Sequence, residues 1–139
     1  GKRLVKRPKI YVLDSGTLAF LLGVQQPDQL LGGIAAGPVF EATVLGQLHR
    51  LLVHRGLTSR LYFWRTAAGH EVDFVLEDGQ TLIPIEAKLT SSPTARDAAA
   101  IEQFQALFGK KAGKGLVVCL CAERFSLTRR VDAVPLGSF

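Results

Sequence analysis

The 139-residue sequence contains no methionine, only two cysteines and one tryptophan, and no uninterrupted apolar run that nears membrane-spanning length. A bilayer-spanning helix needs about 18 or more consecutive apolar residues, so none is expected, and no basic-then-apolar leader with a small-residue cleavage site opens the chain. These absences predict a soluble, cytoplasmic protein with no membrane partner. A chain that starts at Gly1 and lacks methionine also reads as a piece of something larger. The cysteines, Cys119 and Cys121, occupy alternate positions of an expected strand, with Cα atoms about 6.8 Å apart on one face. That is the outer limit for a disulfide, so reduced, buried thiols are expected. Two cysteines without a second pair do not suit a structural zinc site.

Acidic residues are missing from one place. Residues 1–9 hold Lys2, Arg3, Lys6, Arg7 and Lys9 with no Asp or Glu. Those five account for the whole excess of 17 basic over 12 acidic residues, leaving the rest of the chain neutral. Such a distribution argues against a body coated in positive charge. It leaves a basic arm over 1–9, able to meet phosphate or to serve as a solvated linker, ahead of a domain at 10–139. A composition of 47% hydrophobic and 21% charged residues fits one globular core and excludes general disorder.

Periodicity orders the elements. Lys9–Asp14 reads as a short strand or extended lead, and Asp14 or Ser15 caps a brief helix through Leu22. A short helix fits Asp28–Leu31. The clearest helix starts at Gly37-Pro38, carries Phe40, Val44, Leu45, Leu48, Leu51 and Leu52 at helical spacing, and stops at Gly56. Leu61–Arg65, Glu71–Leu76 and Leu82–Lys88 follow as a meander, with turns at Gly69 and Asp78-Gly79. A second helix ends at Gly109, a buried strand covers Leu116–Cys121, and Leu127–Val134 adds one edge strand. The expectation is an α/β domain in the order α-β-β-β-α-β, with a mixed central sheet flanked by helices.

Four charged residues interrupt apolar patterns. Glu86 and Lys88 are two apart on a strand and share a face, and Asp73 sits between Val72 and Phe74. Two carboxylates and a lysine are what a magnesium-dependent phosphodiesterase needs, two hard oxygen ligands and a group to orient water. A solvated cross-strand Asp–Lys pair explains the same residues. Glu41 falls on the apolar stripe of the first long helix, where a charge needs a partner; the alternative is a first-turn glutamate stabilised by the helix N-terminus.

With these residues the chain resembles the PD-(D/E)xK nuclease superfamily, whose fold is restriction-endonuclease-like. More closely, Lys9-Ile10-Tyr11-Val12-Leu13-Asp14-Ser15-Gly16, Gly37-Pro38-Val39-Phe40-Glu41, Tyr62-Phe63-Trp64-Arg65-Thr66, Glu71-Val72-Asp73-Phe74-Val75-Leu76 and Ile83-Pro84-Ile85-Glu86-Ala87-Lys88 resemble the C-terminal domain of a family of prokaryotic AAA+ ATPases, a domain of unknown function. Val72 stands where the superfamily's name has proline. The resemblance implies DNA phosphodiester hydrolysis dependent on Mg2+ or Mn2+, with Glu41, Asp73, Glu86 and Lys88 catalytic. It implies a metal held by Asp73, Glu86 and the Ala87 carbonyl, with Glu41 at a second metal or its water shell. It also implies an ATPase module in cis, N-terminal to this chain, as the only place where ATP binds. The competing reading is a non-catalytic nuclease-fold module that holds DNA or a partner protein for that ATPase.

Other candidates are weaker. Gly109–Gly115 imitates a phosphate loop but is one residue short, lacks the Ser/Thr and runs from helix into strand, the wrong order. Its Lys110, Lys111 and Lys114, together with Arg65 and Arg96, are candidate DNA contacts. His49 and His54 lack one-face metal spacing, so surface positions are expected for them. His70 fits a turn or the mouth of a site, Gln103 a solvated position or a support for the lysine, and Trp64 the core.

Overall fold

The computed structural model describes residues 8–57 and 60–138. Of the basic arm, Lys2, Arg3, Lys6 and Arg7 lie outside the described residues. The described chain forms a six-stranded mixed sheet with helices on both faces.

Three helices come first: α1 (Ser15–Leu21), α2 (Pro27–Leu31) and α3 (Ala36–His54). The Asp14 carboxylate caps α1 by accepting from the Thr17 N–H at 2.6 Å. In α3, Phe40, Val44, Leu48 and Leu52 recur every fourth residue and are all buried. That stripe packs on Phe74, Ile85 and Val118 of the sheet. Lys9–Asp14, expected as a strand or extended lead, forms no strand among the described residues and runs as irregular backbone beside α3.

Gly46 explains how that leading segment lies so close. A Cβ built there would stand 2.8 Å from the Leu13 carbonyl oxygen, so only glycine admits the backbone at this point.

β1 (Arg60–Arg65), β2 (Glu71–Asp78) and β3 (Thr81–Ala87) form the expected antiparallel meander. The chain then crosses through α4 (Ala99–Phe108) to β4 (Gly115–Cys119), which runs parallel to β3. Ile101 and Phe104 of α4 are buried on the face opposite α3, Phe104 among Trp64, Val72 and Val75. Cys119 and Cys121 are free and buried, as expected.

The C-terminal stretch corrects the sequence reading. Leu127–Val134 is not one edge strand but parts of two, β5 (Phe125–Thr128) and β6 (Val131–Pro135), in antiparallel pairing. The sheet order is β1-β2-β3-β4-β6-β5, so β6 is an interior strand, parallel to β4. Arg129-Arg130 makes the turn without glycine, proline or asparagine, which is why sequence pattern passed over it.

The register of β1 on β2 holds the detail that shapes the site. Tyr62 pairs with Val75 and Trp64 with Val72, so Phe63 alone faces the two residues Asp73 and Phe74. This β-bulge turns the chain locally and re-aims a side chain. Val72 and Val75 pack on the α4 side while Phe74 packs on the α3 side.

The Gly46 contact yields a test. Glycine to alanine in a helix interior ordinarily gains about 1 kcal/mol, whereas overpacking against a fixed neighbour costs about 1–3 kcal/mol. The neighbour here is backbone, so the second effect wins. Gly46→Ala should lower the melting temperature and speed amide exchange at residues 9–13; an unchanged or raised melting temperature with unchanged exchange would contradict the contact.

Candidate functional site

Strand alternation places Ile83 and Ile85 toward α3, and Leu82, Glu86 and Lys88 toward α4. Asp73, on the bulge between the faces, is in contact with groups on both. Its Oδ2 accepts the Ala87 N–H at 3.0 Å, tying β2 to the end of β3. On the α4 face, a cleft of about 470 Å3 is lined by Asp73, Glu86, Lys88, Glu71, His70 and Arg96, with Gln103 at its side.

Glu86 is the buried anchor of the cleft, 3% exposed, with its Oε2 3.0 Å from the half-buried Lys88 ammonium. Lys88 lies one residue past β3 and is fixed by its N–H donating to the Val118 carbonyl at 2.9 Å. Burial and the neighbouring Asp73 push the Glu86 carboxyl up to about 8, against the pull of Lys88. Asp73 is also raised, by burial first and by Glu41, although the Ala87 N–H opposes this. Burial disfavours the Lys88 ammonium, but Glu86 outweighs it and raises the lysine above its usual range. Burial therefore outweighs Lys88 at both carboxyls, which hold their protons more tightly than free carboxyls do.

Glu41 is placed differently from the other three. It does not line the cleft but lies on the α3 face, where the Lys9 ammonium donates to its Oε1 at 3.0 Å and the Tyr11 hydroxyl donates to the same oxygen. Lys9 also pairs with Glu71 and stands 3.9 Å from Asp73 Oδ1. Arg65 Nε completes the group 2.9 Å from Glu71 Oε2. The Lys9 ammonium is 5.7 Å from the Phe63 ring centre and 5.9 Å from that of Tyr11. Burial disfavours this ammonium, but Glu71 and Glu41 outweigh it and raise Lys9 above the ordinary lysine range. Burial, then Glu41, keeps Tyr11 protonated.

The structure thus brings Asp73, Glu86 and Lys88 into one cleft and joins Glu41 to it only through Asp73 and Lys9. Among the described residues no group of three His, Cys, Asp or Glu side chains is spaced to hold a metal ion. Asp73 and Glu86 remain as a pair of hard oxygen donors, and magnesium is commonly held by only one or two carboxylates with water completing its shell.

Of the suggested DNA contacts, Arg96 lines the cleft and Arg65 sits at its edge on Glu71. Lys110, Lys111 and Lys114 do not join them. Gly113 donates to the carbonyl of Leu82, four residues before Glu86, which puts that turn about 13 Å away toward the other end of β3. Lys114 is moreover engaged by the buried Asp132, 2.7 Å away. His49 and His54 are exposed on α3, as expected, and His70 lines the cleft. Gly69, with φ 87°, makes the turn that presents His70, its N–H donating to the Thr66 carbonyl at 3.0 Å.

Sequence reasoning missed Lys9, Tyr11 and Glu71. Composition groups Lys9 with the basic arm, and the extended reading of Lys9–Asp14 gives it no partner. The usable signal was its spacing: Lys9 and Tyr11 are alternate residues, so extended backbone turns both toward one side.

The raised Glu86 gives a pH test in the presence of a chelator. Its folded value exceeds the ordinary 4.5, so the folded state holds the proton more tightly and stability falls as pH rises from about 4.5 to about 8. Asp73 adds in the same direction. Glu86→Gln, neutral at every pH, should lose less stability than wild type between pH 5 and 8, by on the order of 1–3 kcal/mol in denaturant unfolding. Parallel stability curves for the two proteins would count against a strained carboxyl.

Comparison with known proteins agrees on kinship. The chain is 33% identical over 135 residues to an uncharacterized protein of Mycobacterium bovis and, equally, to one of Mycobacterium tuberculosis. The match covers 97% of this chain but spans only 29% of the length of each relative. Residues 36–139 match a family description that takes in the long helix α3, the whole sheet and every carboxylate of the cleft. The chain belongs to the family described as a domain of unknown function, DUF4143.

Proposed function

We propose that this domain is a restriction-endonuclease-like, PD-(D/E)xK-type module that hydrolyses DNA phosphodiesters with one bound Mg2+ or Mn2+ ion. The observation that carries the reading is the convergence of Asp73, Glu86 and Lys88 in one polar cleft whose buried carboxyl is raised by burial and by Asp73 beside it. Asp73 and Glu86 would hold the ion, with the Ala87 carbonyl adjacent. When bound, it would supply Lewis-acid polarisation of a phosphoryl oxygen.

The chain's own groups supply the rest. Lys88, steered by Glu86 at 3.0 Å, faces the cleft and orients an attacking water or steadies developing negative charge. Arg96 and His70 line the cleft; Arg96 would meet a phosphate of the strand, and His70 would donate a proton to the leaving oxygen. In a longer polypeptide such as the relatives, an ATPase module in cis would bind ATP and deliver the DNA.

A second reading rests on the absence, among the described residues, of a three-donor metal group and on the distance of Lys110 and Lys111 from the cleft. A non-catalytic module would use this fold to hold DNA or a partner protein.

Cleavage of labelled single-stranded, duplex and branched DNA with magnesium or manganese separates them. Lys88→Ala should keep the fold and ion binding while losing about a hundredfold in rate, roughly 3 kcal/mol of barrier. Asp73→Asn should lose ion and activity together. If wild type and Lys88→Ala are equally inert on every substrate, in this chain and in a longer polypeptide containing it, the enzyme reading falls and the binding module stands.

A further inference from the structure

The neutral total of residues 10–139 hides a division of charge. Residues 10–108, which carry the cleft, hold six basic and ten acidic residues, whereas residues 109–139 hold six basic and only two acidic. The six are Lys110, Lys111 and Lys114 in the turn before β4, and Arg124, Arg129 and Arg130 at the two ends of β5. Because β4 and β6 are parallel, the turns that precede them emerge at the same end of the sheet.

Those two turns are locked side by side. The buried Gln105 amide donates to the carbonyls of Gly113 at 2.9 Å and Arg130 at 3.1 Å, and the Gly115 N–H donates to the Arg130 carbonyl at 2.8 Å. The Arg130 guanidinium reaches back to the Ala112 carbonyl at 2.9 Å, a partner that leaves its charge uncompensated. The acid of this region is already taken: Asp132, 4% exposed, lies 2.7 Å from both Lys114 and Arg124. Glu77 and Asp78 stand at this end too, but on β2, with β3 between them and the turns, and the Tyr62 hydroxyl donates to Glu77. Among the described residues no carboxylate pairs with Lys110, Lys111, Arg129 or Arg130, all of them exposed. The two buried carboxyls report the same division. Burial disfavours the charge on each, yet Lys114, Arg124 and Ser126 hold Asp132 down to about 2 while Glu86 is raised.

We propose that the turns at 109–114 and 129–130 form a surface, separate from the cleft, that holds the phosphate backbone of a nucleic acid duplex through Lys110, Lys111, Arg129 and Arg130. A duplex carries one negative charge per about 1.7 Å of its axis, so cations on two adjoining turns each meet an oxygen without a shaped pocket. An acidic peptide is sparser, since side chains on one side of an extended chain recur only every ~6.8 Å. The acidic cleft end repels phosphate and the basic end attracts it, so the division also orients the approach. This surface does not depend on hydrolysis at Asp73 and Glu86.

The test is anisotropy of a labelled DNA duplex of about 30 base pairs, titrated over a range of salt with a chelator present so that no cleavage occurs. Lys110→Gln, Lys111→Gln and Arg129→Gln combined remove three charges whose side chains make no hydrogen bond or ion pair among the described residues, so the melting temperature should not change. Affinity should fall about tenfold or more, and the slope of log K against log salt should flatten by about three. Lys110→Arg with Lys111→Arg should bind as wild type does. Wild-type affinity and slope in the triple variant would overturn the surface. So would tighter binding of polyglutamate, or of phosphatidylserine–phosphatidylcholine vesicles, than of the duplex. Loss of all salt-dependent binding on substituting Lys2, Arg3, Lys6 and Arg7 alone would overturn it as well. Duplex binding that the triple variant weakens, with no cleavage of any substrate, would sink hydrolysis at the cleft and leave this surface standing. Cleavage by a triple variant whose binding is unchanged would do the reverse.

Discussion

Carboxylates can be gathered at the inner end of a sheet only if positive charge is brought to them, and this requirement governs the architecture around Asp73. The bulge in β2 puts that one side chain between two faces, so its surroundings are assembled from both sides at once. From below come Glu86 and Lys88 at the end of β3; from above come Glu41 on α3 and Lys9 from the leading segment. Each supplier is held by backbone: Lys88 by its bond to Val118, Asp73 by the Ala87 N–H, the leading segment by its fit against Gly46. The polar centre is thus fixed by elements whose apolar faces are doing something else, namely closing the two cores on either side of the sheet.

The same division explains what the sequence disclosed. α3, the meander, α4 and β4 were legible because their apolar residues recur with the period of the element and glycine or a turn pair ends each one. Asp73, Glu86 and Lys88 were legible for the converse reason, as charges where the period asks for apolar residues. Glu41 was legible as a charge in need of a partner, but its partner was not. Lys9 reads as one more basic residue in a basic run, and only its reach across 32 positions to Glu41 distinguishes it. Pattern within a window carries no information on such a contact.

The bulge escaped for a related reason. Nothing in Val72-Asp73-Phe74-Val75 marks an extra residue; it is defined by the partner strand, where Phe63 alone stands opposite. Likewise Gln103 drew attention on the second helix, while Gln105, two residues on, is the buried one. Its side-chain amide donates to the carbonyls of Gly113 and Arg130, joining the turn before β4 to the turn before β6. Helical phase alone separates a solvated glutamine from a structural one here.

The interior place of β6 bears on how the domain is made. Val117 and Val118 of β4 are fully buried, yet until Val131–Pro135 has been synthesised and has left the ribosome, β4 has a neighbour on one side only. β6 fills the place between β4 and β5, both made before it, so a nascent chain carries the open apolar edge of β4 until β6 emerges. Premature termination before Val131–Pro135 would leave that edge permanently unpaired, a template for aggregation rather than a slightly shorter version of the same protein.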